Sequence, residues 1–177
     1  YGLEVPFLRD RAFDDYSPSS IATLAALDQA EGHWNQSYEV VVQLMANCPL
    51  RTASDISAAI ANFKKTGATS QISCCKFGWA NPWWAARLTP EGRPLWMFPE
   101  SCIARSQDLP DLFCPTGAIW IALSKSLRIH QSFYTPDLVL SPIDWMSSID
   151  IDDQADWTMA EACMLLREGI TKEVYNE

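Results

Sequence analysis

Histidine is scarce in this sequence. His33 and His130 are the only two, and neither stands in a Ser, His and Asp arrangement, so no hydrolase triad is written here and both read as surface residues. The six cysteines (Cys48, Cys74, Cys75, Cys102, Cys114, Cys163) include no C-x-x-C pair. That removes a zinc ribbon or a thioredoxin-type site and leaves reduced, mostly buried thiols as the expectation. Basic residues are outnumbered, 13 Lys and Arg against 22 Asp and Glu, and they form no cluster. A net charge of −9 repels phosphate backbones at long range, so no nucleic-acid partner is expected and an anionic substrate would need a local site. The longest uncharged stretches, such as Leu112 to Leu123, are too short to span a bilayer, and no basic-then-apolar leader opens the chain. A soluble, cytoplasmic protein with no membrane partner is the expectation. Internal repeats and low-complexity segments are also missing.

What remains is a globular composition. Of 177 residues, 48% are hydrophobic, enough to bury the core of a single domain spanning 1–177. Leu3 to Leu8 reads as a strand, followed by a helix that Ser19 or Ser20 can cap and that stops near Gly32. The β-branched run Val40-Val41-Val42 predicts a strand covered on both faces, in the middle of a sheet. A second helix opens at Ser54 and Asp55 and closes at Gly67; Ser70 to Lys76 and Gly117 to Leu123 follow as strands, with Ser124 able to cap a short helix. Leu138 to Leu140 predicts another strand, and Asp153 caps a last helix that stops at Gly169. Strands alternating with helices predict an α/β fold, a mostly parallel sheet with helices on both faces. The Trp- and Pro-rich stretch 77–110 breaks this pattern and predicts an excursion from the sheet, with Trp79, Trp83 and Trp84 grouped as an interface would group them.

Three places carry candidate chemistry. In Ser148-Ile149-Asp150-Ile151-Asp152-Asp153 alternate carboxylates fall on one face of an extended segment, and two such oxygen ligands suit Mg2+ beside a substrate phosphate. The same acids equally fit the capping of the following helix, and both readings stand at this point. Asn47-Cys48-Pro49-Leu50-Arg51 follows a strand, where open α/β sheets bind ligands, and Arg51 could fork onto a carboxylate or phosphate or lie in a surface salt bridge. Arg105 and Gln107 form a further polar cluster with the same ambiguity.

Taken together and in chain order, these segments resemble the acylneuraminate cytidylyltransferases, the CMP-sialic acid or CMP-nonulosonate synthetases, from Tyr1 to about Glu161. Tyr1 to Arg9 resembles the family's third strand; Cys48-Pro49-Leu50-Arg51 with Asp55-Ile56 is similar to its S-P-L-R…D-I loop. Gln107-Asp108-Leu109-Pro110 is similar to R-Q-D-L-P, and Thr116-Gly117-Ala118-Ile119-Trp120 to N-G-A-I-Y. Ser148-Ile149-Asp150-Ile151-Asp152 with Asp156 and Ala160-Glu161 is similar to S-I-D-I-D…D…A-E, the most specific element.

The resemblance implies a Rossmann-like fold that transfers CMP from CTP to a nonulosonic acid with release of pyrophosphate. It implies Mg2+ on Asp150 and Asp152, which would also be the catalytic carboxylates, and a homodimer built through 77–110. Substrate contacts would come from Asn47, Arg51, Arg105, Gln107, Thr116, Gly117 and Trp120. Met45 stands where the family commonly has Gln, Asn47 where it has Thr, Thr116 for Asn, Trp120 for Tyr, and Arg105 lies one residue from the usual Arg. These departures favour a nonulosonic acid decorated differently from sialic acid. The family's basic, Gly-containing A-R-G-G-S-K-R loop, which cradles the triphosphate, has no counterpart in these residues. A transferase and a catalytically inactive dimeric relative with a binding or structural role are therefore both expected readings.

Overall fold

The computed structural model describes residue 2, residues 4–12, residue 14 and residues 16–169. Two sequence expectations, at Tyr1 and Leu3, lie outside them. From Glu4 to Arg9 the chain pairs with no strand among the described residues, so the strand expected at Leu3 to Leu8 is not formed over its described part. Pro6 cannot donate to a ladder, and the leading segment instead leans on the first helix, α1 (Ser19–Trp34). Gln29 donates through Nε2 to the Leu8 carbonyl at 3.0 Å, and the Phe7 ring meets His33 and Trp34 at centroid distances of 5.8 and 6.0 Å. Helix α1 starts after Pro18 with no side-chain cap, in place of the expected serine cap, and continues through Gly32 to end at Asn35 in the left-handed region (φ 48).

Strand β1 (Val40–Gln43) leads into α2 (Ala53–Thr66), whose cap is Thr52 rather than Ser54. Thr52 and Asp55 form a reciprocal capping box, and Gly67 closes the helix at φ 67, as its position predicts. Then come β2 (Ser70–Lys76), a small hairpin of β3 (Ala86–Leu88) and β4 (Pro94–Trp96), the long β5 (Phe113–Leu123), α3 (Ser124–His130), β6 (Val139–Pro142) and α4 (Gln154–Glu168). Asp153 and Gly169 bound α4 as expected, whereas α3 follows Leu123 without a side-chain cap.

The main sheet has the order β1-β5-β2-β6. β5 is antiparallel to both β1 and β2, while β2 and β6 are parallel. Three strands thus share one direction and β5 alone opposes them. Helices cover both faces. Leu24 and Leu27 of α1 and Leu127 of α3 pack with Ile72, Ala122 and Phe133 on one side; Ala59 and Phe63 of α2 pack with Ala118, Ile119 and Ile121 on the other. The α/β class and its two-faced cover agree with the sequence. The mid-sheet position expected of β1 does not: β1 is an edge strand, with Val40 and Leu44 each 40% exposed.

Residues 77–110 leave the sheet, and β3 and β4 pair only with each other. Trp83 and Trp84 knit this arm internally, Trp83 donating from Nε1 to the Pro110 carbonyl (2.8 Å) and Trp84 to that of Ser101 (3.1 Å). Trp79, Ile103, Leu88, Leu95 and Met97 stay exposed. Among the described residues, no helix is long and apolar enough to cross a membrane.

Candidate functional site

The end of β1 carries the chain into the loop Leu44–Arg51, and the segment after β6 returns beside it. The join is backbone first: Ile151 donates its N–H to the Asn47 carbonyl at 2.9 Å. Side chains then follow in register. Asn47 Nδ2 reaches Asp152 Oδ1 at 3.5 Å, and the buried Cys48 donates its thiol to Asp150 Oδ1 at 3.4 Å. Burial first, and the Asp150 carboxylate second, push that thiol up to about 12, so at neutral pH Cys48 stays protonated and acts as a donor. The two carboxylates therefore converge on one short loop, at the carboxyl end of the co-directional strands.

Helix capping, the competing explanation of these acids, falls on other residues. Asp153 accepts from Ala155 and Asp156 N–H groups at 2.7 and 3.0 Å; Asp156 Oδ2 accepts from the N–H groups of Asp152 and Asp153 at 3.0 and 3.2 Å. Asp150 and Asp152 spend neither carboxylate on the cap. Half-buried Asp150 and exposed Asp152 form a hard, oxygen-only pair, which fits a divalent cation that takes its other ligands from water and phosphate. Among the described residues no group of three or more His, Cys, Asp or Glu forms a fuller cage.

Arg51 donates from Nη1 to the carbonyls of Met45 (3.0 Å) and Ala118 (2.7 Å). It ties the loop to β5. Gly117 lies under the same loop, where a Cβ would come 2.8 Å from the Met45 sulfur and 3.6 Å from that of Cys48. Thr116 shares a 2.7 Å hydroxyl bond with Ser73, and Trp120 donates from Nε1 to the Thr116 carbonyl at 2.6 Å while packing on Phe133 and Tyr134. Asn47, Arg51, Gly117, Asp150 and Asp152 are thereby brought together, with Thr116 and Trp120 along the same strand.

Arg105 and Gln107 belong to a separate turn, Ser106–Asp108, on the arm. Arg105 forks onto Asp108 at 2.7 and 3.1 Å, an exposed pair that occupies its guanidinium. Sequence reasoning missed Arg167, which donates to Asp144 (3.0 Å), to Ser147 (2.9 Å) and to the Leu50 carbonyl, holding the end of α4 against both site loops. It missed Cys48 as the donor to Asp150 as well. Neither a lone cysteine beside a proline nor an arginine in the last turn of a helix carries a signal for these roles.

No protein-family model matches the chain. Curated relatives do. Over 163 residues, 91% of this chain and 69% of the relative, it is 27% identical to pseudaminic acid cytidylyltransferase of Campylobacter jejuni strain 81-176. Over 178 residues, 95% of this chain and 72% of the relative, it is 29% identical to CMP-N,N'-diacetyllegionaminic acid synthase of Legionella pneumophila. The chain is a homologue of the CMP-nonulosonate synthetases. Its fold is likewise that of a solved CMP:2-keto-3-deoxy-manno-octonic acid synthetase complexed with CTP, with TM-score 0.54, 9% identity and 86% of this chain on 70% of that one. For a CMP-nonulosonate synthetase homologue, the loop Asn47–Arg51 and the segment Asp150–Asp152 are the parts of the resemblance that the fold places side by side.

Proposed function

We propose that this chain works as a cytidylyltransferase, transferring CMP from CTP to a nonulosonic acid and releasing pyrophosphate. The observation that carries the reading is the convergence of Asp150 and Asp152 on the Asn47–Cys48 loop, with the capping of α4 assigned to Asp153 and Asp156. The names of the relatives support the substrate class: pseudaminic and diacetyllegionaminic acids are what those enzymes are named for, and the departures at Met45, Asn47, Thr116 and Trp120 favour a sugar acid of that decorated kind.

Asp150 and Asp152 would hold Mg2+, which when bound neutralises phosphate charge and orients the phosphate for in-line attack. The chain's own residues do the positioning. Cys48 steadies Asp150 by donating to one of its oxygens. Arg51 fixes the loop by satisfying two carbonyls. Asn47 offers an amide at the same edge, and the glycine at 117 keeps the floor low enough for the Met45 side chain to lie across it. Arg105 and Gln107 would take part only when the arm presents them to the sugar acid.

The arm supports a homodimer, because Trp79, Leu88, Leu95, Met97 and Ile103 expose apolar surface beyond what so small an excursion covers by itself. A dimer mass in light scattering at micromolar concentration supports this, and a monomer contradicts it. A cytoplasmic setting is part of the same reading, as suits an enzyme of sugar-nucleotide synthesis.

Residues Tyr1–Glu177 contain no Gly-rich basic loop after a strand, and losing one preorganised donor commonly slows catalysis about a hundredfold. The polypeptide Tyr1–Glu177 is therefore expected to bind metal and sugar acid, and to turn over far faster with such a loop supplied than without it. The test is pyrophosphate release with CTP, Mg2+ and a panel of nonulosonic acids, on Tyr1–Glu177 and on a form with a Gly-rich basic segment added ahead of Tyr1. Turnover only with the added segment supports the reading. Turnover by neither form contradicts the transferase assignment and favours the inactive binding relative; full turnover by Tyr1–Glu177 contradicts the need for the loop.

A further inference from the structure

The arm 77–110 hangs from the sheet by two strands, and a pair of thiols faces across that neck. Cys75 on β2 stands directly opposite Cys114 on β5 in the antiparallel register, beside the pairs Cys74–Pro115 and Lys76–Phe113. One step further, Phe77 donates its N–H to the Leu112 carbonyl at 3.0 Å and Lys76 pairs with Asp111 at 2.6 Å. Hydrogen-bonded and non-hydrogen-bonded pairs alternate along an antiparallel ladder, so Cys75–Cys114 falls, like Phe77–Leu112, in a hydrogen-bonded position, and Pro115 sits where no N–H is required. Directly opposed side chains share a face, and Cα atoms of such a pair lie about 5.5 Å apart, inside the roughly 4.4–6.8 Å that a disulfide spans.

Both thiols are free and half-buried, within reach of a small solute, whereas neighbouring Cys74 is fully buried. Burial, and then Cys75 beside it, hold the Cys114 thiol above its ordinary value.

We propose that Cys75 and Cys114 form a reversible dithiol–disulfide site that reacts with low-molecular-weight disulfides such as oxidised glutathione. One thiolate attacks the glutathione disulfide, forming a mixed disulfide and releasing one glutathione as thiolate. The second thiolate then attacks the protein sulfur of that mixed disulfide, closing the Cys75–Cys114 bond and expelling the second glutathione. The thiolates take up the protons the cysteines lost, so two protein thiols are oxidised and one glutathione disulfide is reduced to two glutathiones. The bond closes residues 76–113 into a covalent loop and fixes the base of the arm. The site stands independently of the transferase reading.

The test uses the whole chain, with or without oxidised glutathione, nicked by trypsin at exposed Arg87 or Arg105 and run on a denaturing gel without reductant. After oxidation the nicked halves are expected to migrate as one band and to separate when a thiol reductant is added. Titratable thiols should fall from six to four. Cys75→Ser and Cys114→Ser must each give separated halves, while Cys74→Ser must leave them joined. Halves that separate after oxidation of the unaltered chain, glutathione retained as a stable adduct, or a disulfide mapped to another pair would each overturn the proposal.

Discussion

Cys48 donates its thiol hydrogen to Asp150 Oδ1 at 3.4 Å across 102 residues of sequence, joining the loop after β1 to the segment after β6. The link gives one carboxylate of the proposed metal pair a fixed orientation, while its companion Asp152 meets the amide of Asn47. Around it, the helix cap, the Arg51 clasp and the Gly117 floor each serve a distinguishable purpose, and each can be removed separately.

Capping and metal binding should separate by mutation. Asp153→Ala removes the acceptor for two N–H groups of α4 and is expected to cost about 1 kcal/mol of stability. Asp152→Asn leaves that cap intact, and its unfolding free energy in urea should stay within about 0.5 kcal/mol of the unaltered protein, while divalent-ion affinity falls. Equal destabilisation by the two variants would show that Asp152 is also structural.

Arg51→Met should lower stability by about 1.5–3 kcal/mol, the range for hydrogen bonds from a charged group. Arg51→Lys is expected to recover only part of the loss, since the strongly hydrated lysine ammonium must be brought to the place from which the one nitrogen Nη1 reaches both carbonyls. Chemical denaturation compares the three proteins. A neutral Arg51→Met would mean that the two carbonyls are satisfied without the guanidinium.

At Gly117, an added methyl meets the Met45 sulfur. Gly117→Ala should therefore cost about 1 kcal/mol by overpacking, and Met45→Ala combined with it should relieve much of that cost. A double-mutant cycle with no coupling between the two positions would contradict the contact.

Acid stability should depend on Asp137. Hydrogen bonds from the Thr69 hydroxyl and N–H, and then from Thr135, hold its carboxyl down at about 2, against an ordinary value of 3.8. A depressed carboxylate stabilises the folded state above the unfolded value and loses that effect as pH falls through the folded one. The contribution should be complete above about pH 4 and fade between there and about pH 2. Asp137→Asn should weaken the protein at neutral pH and flatten this part of its acid-unfolding curve; an unchanged curve would contradict the shift.

Much of the fold was legible in the sequence because its signals are local. Gly67 and Gly169 mark helix ends by the left-handed backbone they adopt, and Asp153 with Asp156 is a capping pair at its proper spacing. Strand order is not local. Val40–Val42 announces two covered faces, yet nothing in those residues says whether a strand lies along each edge. Pro6 inside the Leu3–Leu8 run was the physical warning against a strand there. The site was half legible: Asp150 and Asp152 stand out by alternation, but Cys48 and Arg167 act through contacts that only the fold creates.

The place where a divalent ion binds decides most directly whether Asp150 and Asp152 form a metal site. Titrating Mn2+, a paramagnetic stand-in for Mg2+, into the isotope-labelled chain and following amide line broadening locates it. Broadening should begin at Asn47, Cys48, Asp150 and Asp152, leave Arg105 to Asp108 sharp, and vanish in Asp150→Asn/Asp152→Asn. Broadening centred on other acidic residues, or unchanged in that double variant, would contradict the site.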